Sequence, residues 1–133
     1  MEKLTITQDT ISLKDEDLLR RSTNEPWLFS FLVQRYEAPF LRKVKAILRD
    51  PRDCEEVVLD AFTKIYIHAD SFVPQSGAQF SSWAYRILLN TAFTRYQKLV
   101  KEGQRFIVFD PEFEQLVGER AGHTGFEEKR DAI

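Results

Sequence analysis

The sequence predicts an all-α protein, and three observations carry that prediction. Three long segments repeat apolar residues at three- and four-residue intervals, the period of a helix seated on a core. Only five Gly and five Pro occur in 133 residues, which favours long helices and few turns. The breaks between the periodic segments are short and carry turn chemistry, as in Asp50-Pro51-Arg52-Asp53. The expected architecture is a compact bundle of three main helices plus a short N-terminal helix, with an irregular C-terminal tail.

Taken in order, residues 1–12 show no sustained period and are expected to be a flexible N-terminus. Ser12 with Asp15 reads as a capping box, and a short helix follows to about Arg21. Ser22-Thr23-Asn24 breaks it, and Asn24 or Glu25 ahead of Pro26 reads as a cap and first turn. The second helix spans about Pro26 to Leu48, with Leu28, Leu32, Tyr36, Phe40, Val44 and Ile47 as its buried stripe. Pro39 falls inside it, removes the bond to the Arg35 carbonyl and is expected to kink it. Asp53 with Glu56 reads as the capping box of the third helix, which runs to about Ala69. Its core face is Cys54, Val57, Val58, Ala61, Phe62 and Ile65, where Cys54 acts as a small hydrophobe.

Asp70 to Gln79, with Pro74, Ser76 and Gly77, is a connecting loop. The fourth helix runs from about Phe80 to Glu102, and Gly103 is its natural stop. Beyond it, Phe106-Ile107-Val108-Phe109 reads as either a short strand or an apolar segment packing back on the bundle. Gly118, Gly122 and Gly125 argue against continuous helix, so residues 105–125 are expected to be a linker. Phe126 to Ile133 looks like the start of a further helix.

Composition bounds the function. One domain of this size can bury one modest core. Hydrophobic content of 43% and charged content of 30% are ordinary for a soluble globular chain. A single cysteine excludes a disulfide framework and a Cys-based zinc cluster and suits a reducing cytoplasm. No apolar run is long enough to span a bilayer, and the N-terminus lacks a signal-peptide layout, so a cytoplasmic location is expected. No nucleophile elbow, phosphate loop or metal-binding His/Cys set is present, so neither an enzyme nor a metal, cofactor or small-molecule substrate is expected.

The net charge of -2 is blocked along the chain. Gln34 to Arg52 has six cations against two acids, and Asp53 to Asp70 one cation against five acids. Trp83 to Arg105 has five cations against one acid, and Phe106 to Ile133 three against seven. A basic block can meet phosphate while an acidic block meets a basic protein partner, so footprint matters more than the sum. Arg42, Lys43, Lys45 and Arg49 read either as a solvated face or as a partner- or DNA-facing one.

The segment Phe80 to Lys98 carries the sharpest functional signal. Phe80, Ala84, Ile87, Leu88, Thr91 and Ala92 share one stripe, while Arg86, Asn90, Arg95 and Lys98 project from other faces. Trp83, Tyr85, Phe93 and Tyr96 sit among those cations and amides, the equipment for stacking unpaired bases and holding phosphates. Trp83, near Phe80, Ile87 and the loop, is read as core rather than as a stacking platform. The plain alternative for the whole segment is a core helix with a solvated basic face.

The run FSSWAYRILLNTAFTRYQK resembles the second half of region 2 of extracytoplasmic-function sigma factors of the sigma-70 family, where F-x-x-W-L-Y-R-I-x-x-N recurs. Asp53 to Phe62 resembles that family's D-A-E-D-V-V-Q-E-x-F, and Asp15 to Arg21 its opening helix. The resemblance covers about Lys14 to Gln104, with residues 13–104 as a region 2-like domain. It implies a bacterial transcription initiation factor whose partners are core RNA polymerase, through a coiled coil on the largest subunit, and the non-template strand of the promoter -10 element. An anti-sigma factor is a further partner it admits. Residues 126–133 would then begin a region 4-like helix.

By that resemblance the acidic helix with Asp53, Glu55, Glu56, Asp60 and Lys64 is the polymerase-binding element. The -10 contacts would come from Ser71, Gln75 and Ser76 in the loop and Arg86, Asn90, Thr94, Arg95 and Lys98 on the last helix. Asn90 stands at the family's asparagine and is the first candidate for a base contact. Leu59 replaces a usual glutamine and Asp60 a usual glutamate, and a family Asp-Arg becomes Thr94-Arg95. Two other readings remain open: a sigma-like module that binds protein partners without reading DNA, and a structural bundle with no nucleic-acid role.

Overall fold

The computed structural model describes residues 12–72 and 79–121, and expectations that fall on residues 1–11, 73–78 and 122–133 lie outside the described residues. The chain forms α1 (Asp15–Ser22), a 3-10 turn (Pro26–Leu28), α2 (Phe29–Lys45), α3 (Pro51–Ile67), a second 3-10 turn (Ala69–Ser71), α4 (Phe80–Lys101) and α5 (Pro111–Ala121). There is no strand among the described residues. α3 is central and packs on α2 along one side and α4 along the other. The expected stripes meet in the middle: Leu32, Phe40 and Val44 of α2, Cys54, Ala61 and Ile65 of α3, and Phe80, Ala84 and Leu88 of α4 are all fully buried. α2 continues through Pro39 as one helix.

The helix ends depart from the sequence reading in instructive ways. Lys14, not Ser12, is the N-cap of α1, and it makes no side-chain cap bond. Asp50, not Asp53, caps α3: its carboxylate accepts from the Arg52 N–H at 2.8 Å, with Pro51 in the first position. α4 ends as expected at Gly103, whose φ of +94° suits only glycine. The Gly103 N–H donates to the Val100 carbonyl and the Gln104 N–H to the Leu99 carbonyl, both at 3.0 Å, which is the Schellman pairing.

α4 begins under a cap that comes from another helix. Gln79 makes no side-chain cap bond, and the Glu16 carboxylate of α1 instead accepts from the Phe80 N–H at 2.8 Å. Anionic charge at a helix N-terminus is favourable and satisfies an otherwise orphan donor. Its neighbour Asp15 accepts from Arg35 at 2.8 Å and from the Tyr36 hydroxyl at 2.5 Å. Burial, with that bond to Asp15, holds the Tyr36 phenol well above the usual tyrosine range. Replacing Glu16 with Ala is expected to cost about 1–2 kcal/mol by loss of the cap. The cost would appear as lower amide protection at the start of α4, read by hydrogen exchange; unchanged protection at Phe80 to Ala84 would rule the cap out.

The stretch expected to be an irregular linker is helical over Pro111–Ala121. Asp110 caps this helix, accepting from the Phe113 N–H at 3.0 Å. Phe113 is fully buried, against Phe93 and Tyr96 of α4. Gly118 does not interrupt the helix, because it faces solvent, with nothing within 4 Å of where a Cβ would sit. Ahead of α5, Phe106 and Val108 pack against the core while Ile107 and Phe109 point outward. Of the two readings of this segment, packing back on the bundle is the one observed.

Candidate nucleic-acid interface

The outer face of α4 brings together part of the expected set. Arg86, Thr94 and Lys98 are exposed and Asn90 is half-buried. Thr94 turns its hydroxyl to the Asn90 carbonyl at 3.2 Å. Ser71 is exposed at the end of the second 3-10 turn, while Gln75 and Ser76 lie outside the described residues. Trp83 is half-buried and packs on Phe72 and Phe80, with ring centroids 5.2 and 6.0 Å away, in keeping with the core reading.

Arg95 does not join that face. It reaches across to α3, where its guanidinium bonds Asp53 at 2.5 Å and Glu56 at 3.0 Å. Its side chain is only 18% exposed and that of Asp53 only 19%. Burial pushes the Arg95 pKa down, but its bonds to Asp53 and Glu56 outweigh that and leave it above the ordinary arginine value. One expected phosphate ligand and two expected polymerase-facing acids thus form an internal ion triad that ties α3 to α4. Lys64, though exposed, also bonds within the domain, donating to the Thr91 hydroxyl at 3.2 Å. The exposed side of α3 carries Glu55 and Asp60 and, despite their internal bonds, Glu56 and Lys64, interleaved with Leu59 and Ile67, which are 66% and 65% exposed.

Phe93 and Tyr96 are not open platforms for bases either. Phe113 of α5 packs on both, and Tyr96 also meets Phe106. Asn90 is engaged as well: the Arg120 guanidinium donates to its side-chain oxygen at 2.5 Å and lies 4.5 Å over the Phe93 ring. Between α4 and α5 runs a groove of about 450 Å³, whose polar lining includes Ser82, Arg86 and Asn90 on one wall and Glu112, Glu119 and Arg120 on the other. At the entry to α5, Lys43 of α2 bonds Asp110 at 2.8 Å and also pairs with Glu112. Burial lowers the Lys43 pKa, and the two carboxylates more than restore it.

Lys43 is therefore neither solvated nor free to meet a partner, as either sequence reading had it. The signal for α5 was present in Asp110-Pro111, a helix-starting pair, followed by Phe113, Leu116, Val117 and Arg120 at helical spacing. Among the described residues no group of three or more His, Cys, Asp or Glu is placed to hold a metal ion, and no helix is long and apolar enough to cross a membrane.

The model of the sigma-70 region 2 family matches residues 32–102, more than half of the chain. The chain belongs to the sigma-70 region 2 family. Region 2 here begins in α2 and ends just past α4, so α5 falls outside the matched residues. The chain is 29% identical over 93 residues to RNA polymerase sigma-H factor of Pseudomonas aeruginosa, an alignment covering 69% of this chain and 46% of that protein. It thus spans less than half the length of that relative. An engineered region 2 of sigmaE, determined by NMR in complex with GTAAAA, superposes with a TM-score of 0.55 at 31% identity, covering 77% of this chain and 100% of that one.

Proposed function

We propose that this region 2 domain serves bacterial transcription initiation in the cytoplasm, without catalysis of its own. Its partners would be core RNA polymerase and the unpaired non-template strand of a promoter -10 element. The observation that carries the reading is the line Arg86, Asn90, Thr94 and Lys98 on one side of α4, in a domain related to a region 2 that holds GTAAAA. An asparagine side chain offers both a donor and an acceptor in one plane, which suits the edge of an unstacked base. Cations one and two turns away suit the phosphates on either side.

The polymerase contact is assigned to the outer face of α3. Asp53 is largely buried against Arg95, while Glu56 and Lys64 bond within the domain yet stay exposed, so these three rank behind the acids that make no such bond. Those are Glu55 and Asp60, with Leu59 and Ile67 beside them. Exposed acids meeting a basic helical partner give orientation and fast encounter, and the apolar pair adds buried area. Such a face would also suit an anti-sigma factor.

The test uses two kinds of variant. Asn90→Ala is expected to relax discrimination at one base position by about 1–3 kcal/mol across a panel of single-base changes in a single-stranded -10 oligonucleotide. Lys98→Ala is expected to weaken all sequences alike and to reduce the salt slope by roughly 0.7. Reversing Glu55 and Asp60 to Lys is expected to weaken binding to core polymerase while the melting curve is kept. A uniform loss, or none, in Asn90→Ala would remove the base-reading role, and polymerase binding by a protein that shows no DNA selectivity would leave a protein-interaction module.

A further inference from the structure

The centre of the face assigned above to DNA, at Asn90, is already engaged by the protein itself. We propose that α5 is an intramolecular gate on that face: docked, it holds Asn90 and screens the adjacent cations, and single-stranded DNA enters only as α5 leaves. The inference rests on the DNA-binding role of α4.

Three features of α5 fit this role. Arg120 donates to the Asn90 oxygen, the acceptor a base would need, and its guanidinium lies 4.5 Å over the Phe93 ring, on the side a base would take. The helix and its cap are acidic, with Asp110, Glu112, Glu114 and Glu119 against Arg120 alone. Two of these carboxylates hold Lys43, and Glu119 lines the groove opposite Arg86, so carboxylates stand where phosphates would be drawn. A DNA backbone and this helix cannot share the groove without like-charge repulsion.

The hold is also weak enough to release. α5 has 11 residues, too few to persist as an isolated helix, and it inserts one fully buried side chain, Phe113. Leu116 and Val117 add half-buried area, and Glu112 keeps one end of the clamp in solvent. Undocking takes Phe113 and Arg120 off Phe93, turning a covered ring toward the strand, where a base can stack on it. Coupling of this kind is reciprocal: what disfavours the docked helix favours DNA, and DNA favours undocking.

The experiment measures binding of the single-stranded hexamer GTAAAA and of a random-sequence hexamer pool to the full chain and to its Arg120→Ala and Phe113→Ala variants. Amide protection of α5 is followed by hydrogen exchange with and without DNA. The gate predicts that Arg120→Ala binds DNA roughly three- to thirty-fold more tightly, as the binding-competent fraction rises. That is opposite in sign to the ordinary effect of removing a cation. Phe113→Ala is expected to shift in the same direction with no change in charge, and thermal melting of both variants checks that the bundle is intact. α5 protection should fall when DNA is added to the wild type. If all three proteins bind DNA alike, or Arg120→Ala binds less well, with α5 still protected in the complex, the gate is overturned and the DNA reading stands. If none binds either probe, the DNA reading fails and the gate goes with it.

Discussion

Phe40→Ala is expected to lower the unfolding free energy by about 3–5 kcal/mol, the largest effect of any single truncation in the bundle. Phe40 is fully buried where α2, α3 and α4 converge. Its ring stacks on Phe62 of α3 at 5.0 Å and meets Tyr85 of α4 edge-on at 5.0 Å, with Tyr36 of its own helix 5.5 Å away. Removing it costs the transfer of an aromatic ring from water, the pair interactions with three neighbours and a cavity that three separate helices would have to move to fill. Urea denaturation followed by circular dichroism reads the change directly, since a domain of this size is expected to unfold in one step. A loss below about 1 kcal/mol would mean that the three helices do not share one core.

Phe40 also marks what was legible in the sequence. The buried stripes of α2 and α3 are local patterns, repeated over many turns, and period alone identifies them. The stop at Gly103 was legible for the same reason, since only a glycine adopts that backbone angle without strain. Ion pairs and caps between helices carry no such local signature. Glu16 caps α4 from 64 residues away, and Arg95 meets Asp53 across 42. An arginine on a helix face looks the same in sequence whether it meets a phosphate or a carboxylate.

The charge blocks illustrate the point further. Read along the chain, they were separate footprints for DNA and for polymerase. In the fold, part of each basic block neutralises part of an acidic one: Arg95 with Asp53 and Glu56, and Lys43 with Asp110 and Glu112. What remains outward is a smaller set than the sequence offered. α5 is obscured in the sequence for a different reason: Gly118 reads as a breaker, although a solvent-facing glycine in a short helix costs only about 1 kcal/mol.

Arg95→Ala is expected to cost about 2–4 kcal/mol of stability, the second large effect. Removing one partner of a fully buried ion pair costs about 3–5 kcal/mol, because the other charge is left without its compensation. The value here is lower because Glu56 keeps contact with water at 58% exposure. Asp53, at 19%, does not have that recourse. Arg95→Lys is expected to recover only part of the loss, since one ammonium cannot reproduce the fork that holds two carboxylates. A double-mutant cycle with Asp53→Ala isolates the pair and should show a coupling of about 0.5–3 kcal/mol, within the range for contacting residues. The same variants separate the two roles an arginine on α4 can have. As a brace between α3 and α4, Arg95 should affect the melting temperature and leave the salt dependence of DNA binding by the folded protein unchanged. As a phosphate ligand it would do the reverse, flattening the salt slope with little change in melting. Because its guanidinium already points at Asp53 and Glu56, the first pattern is the expected one.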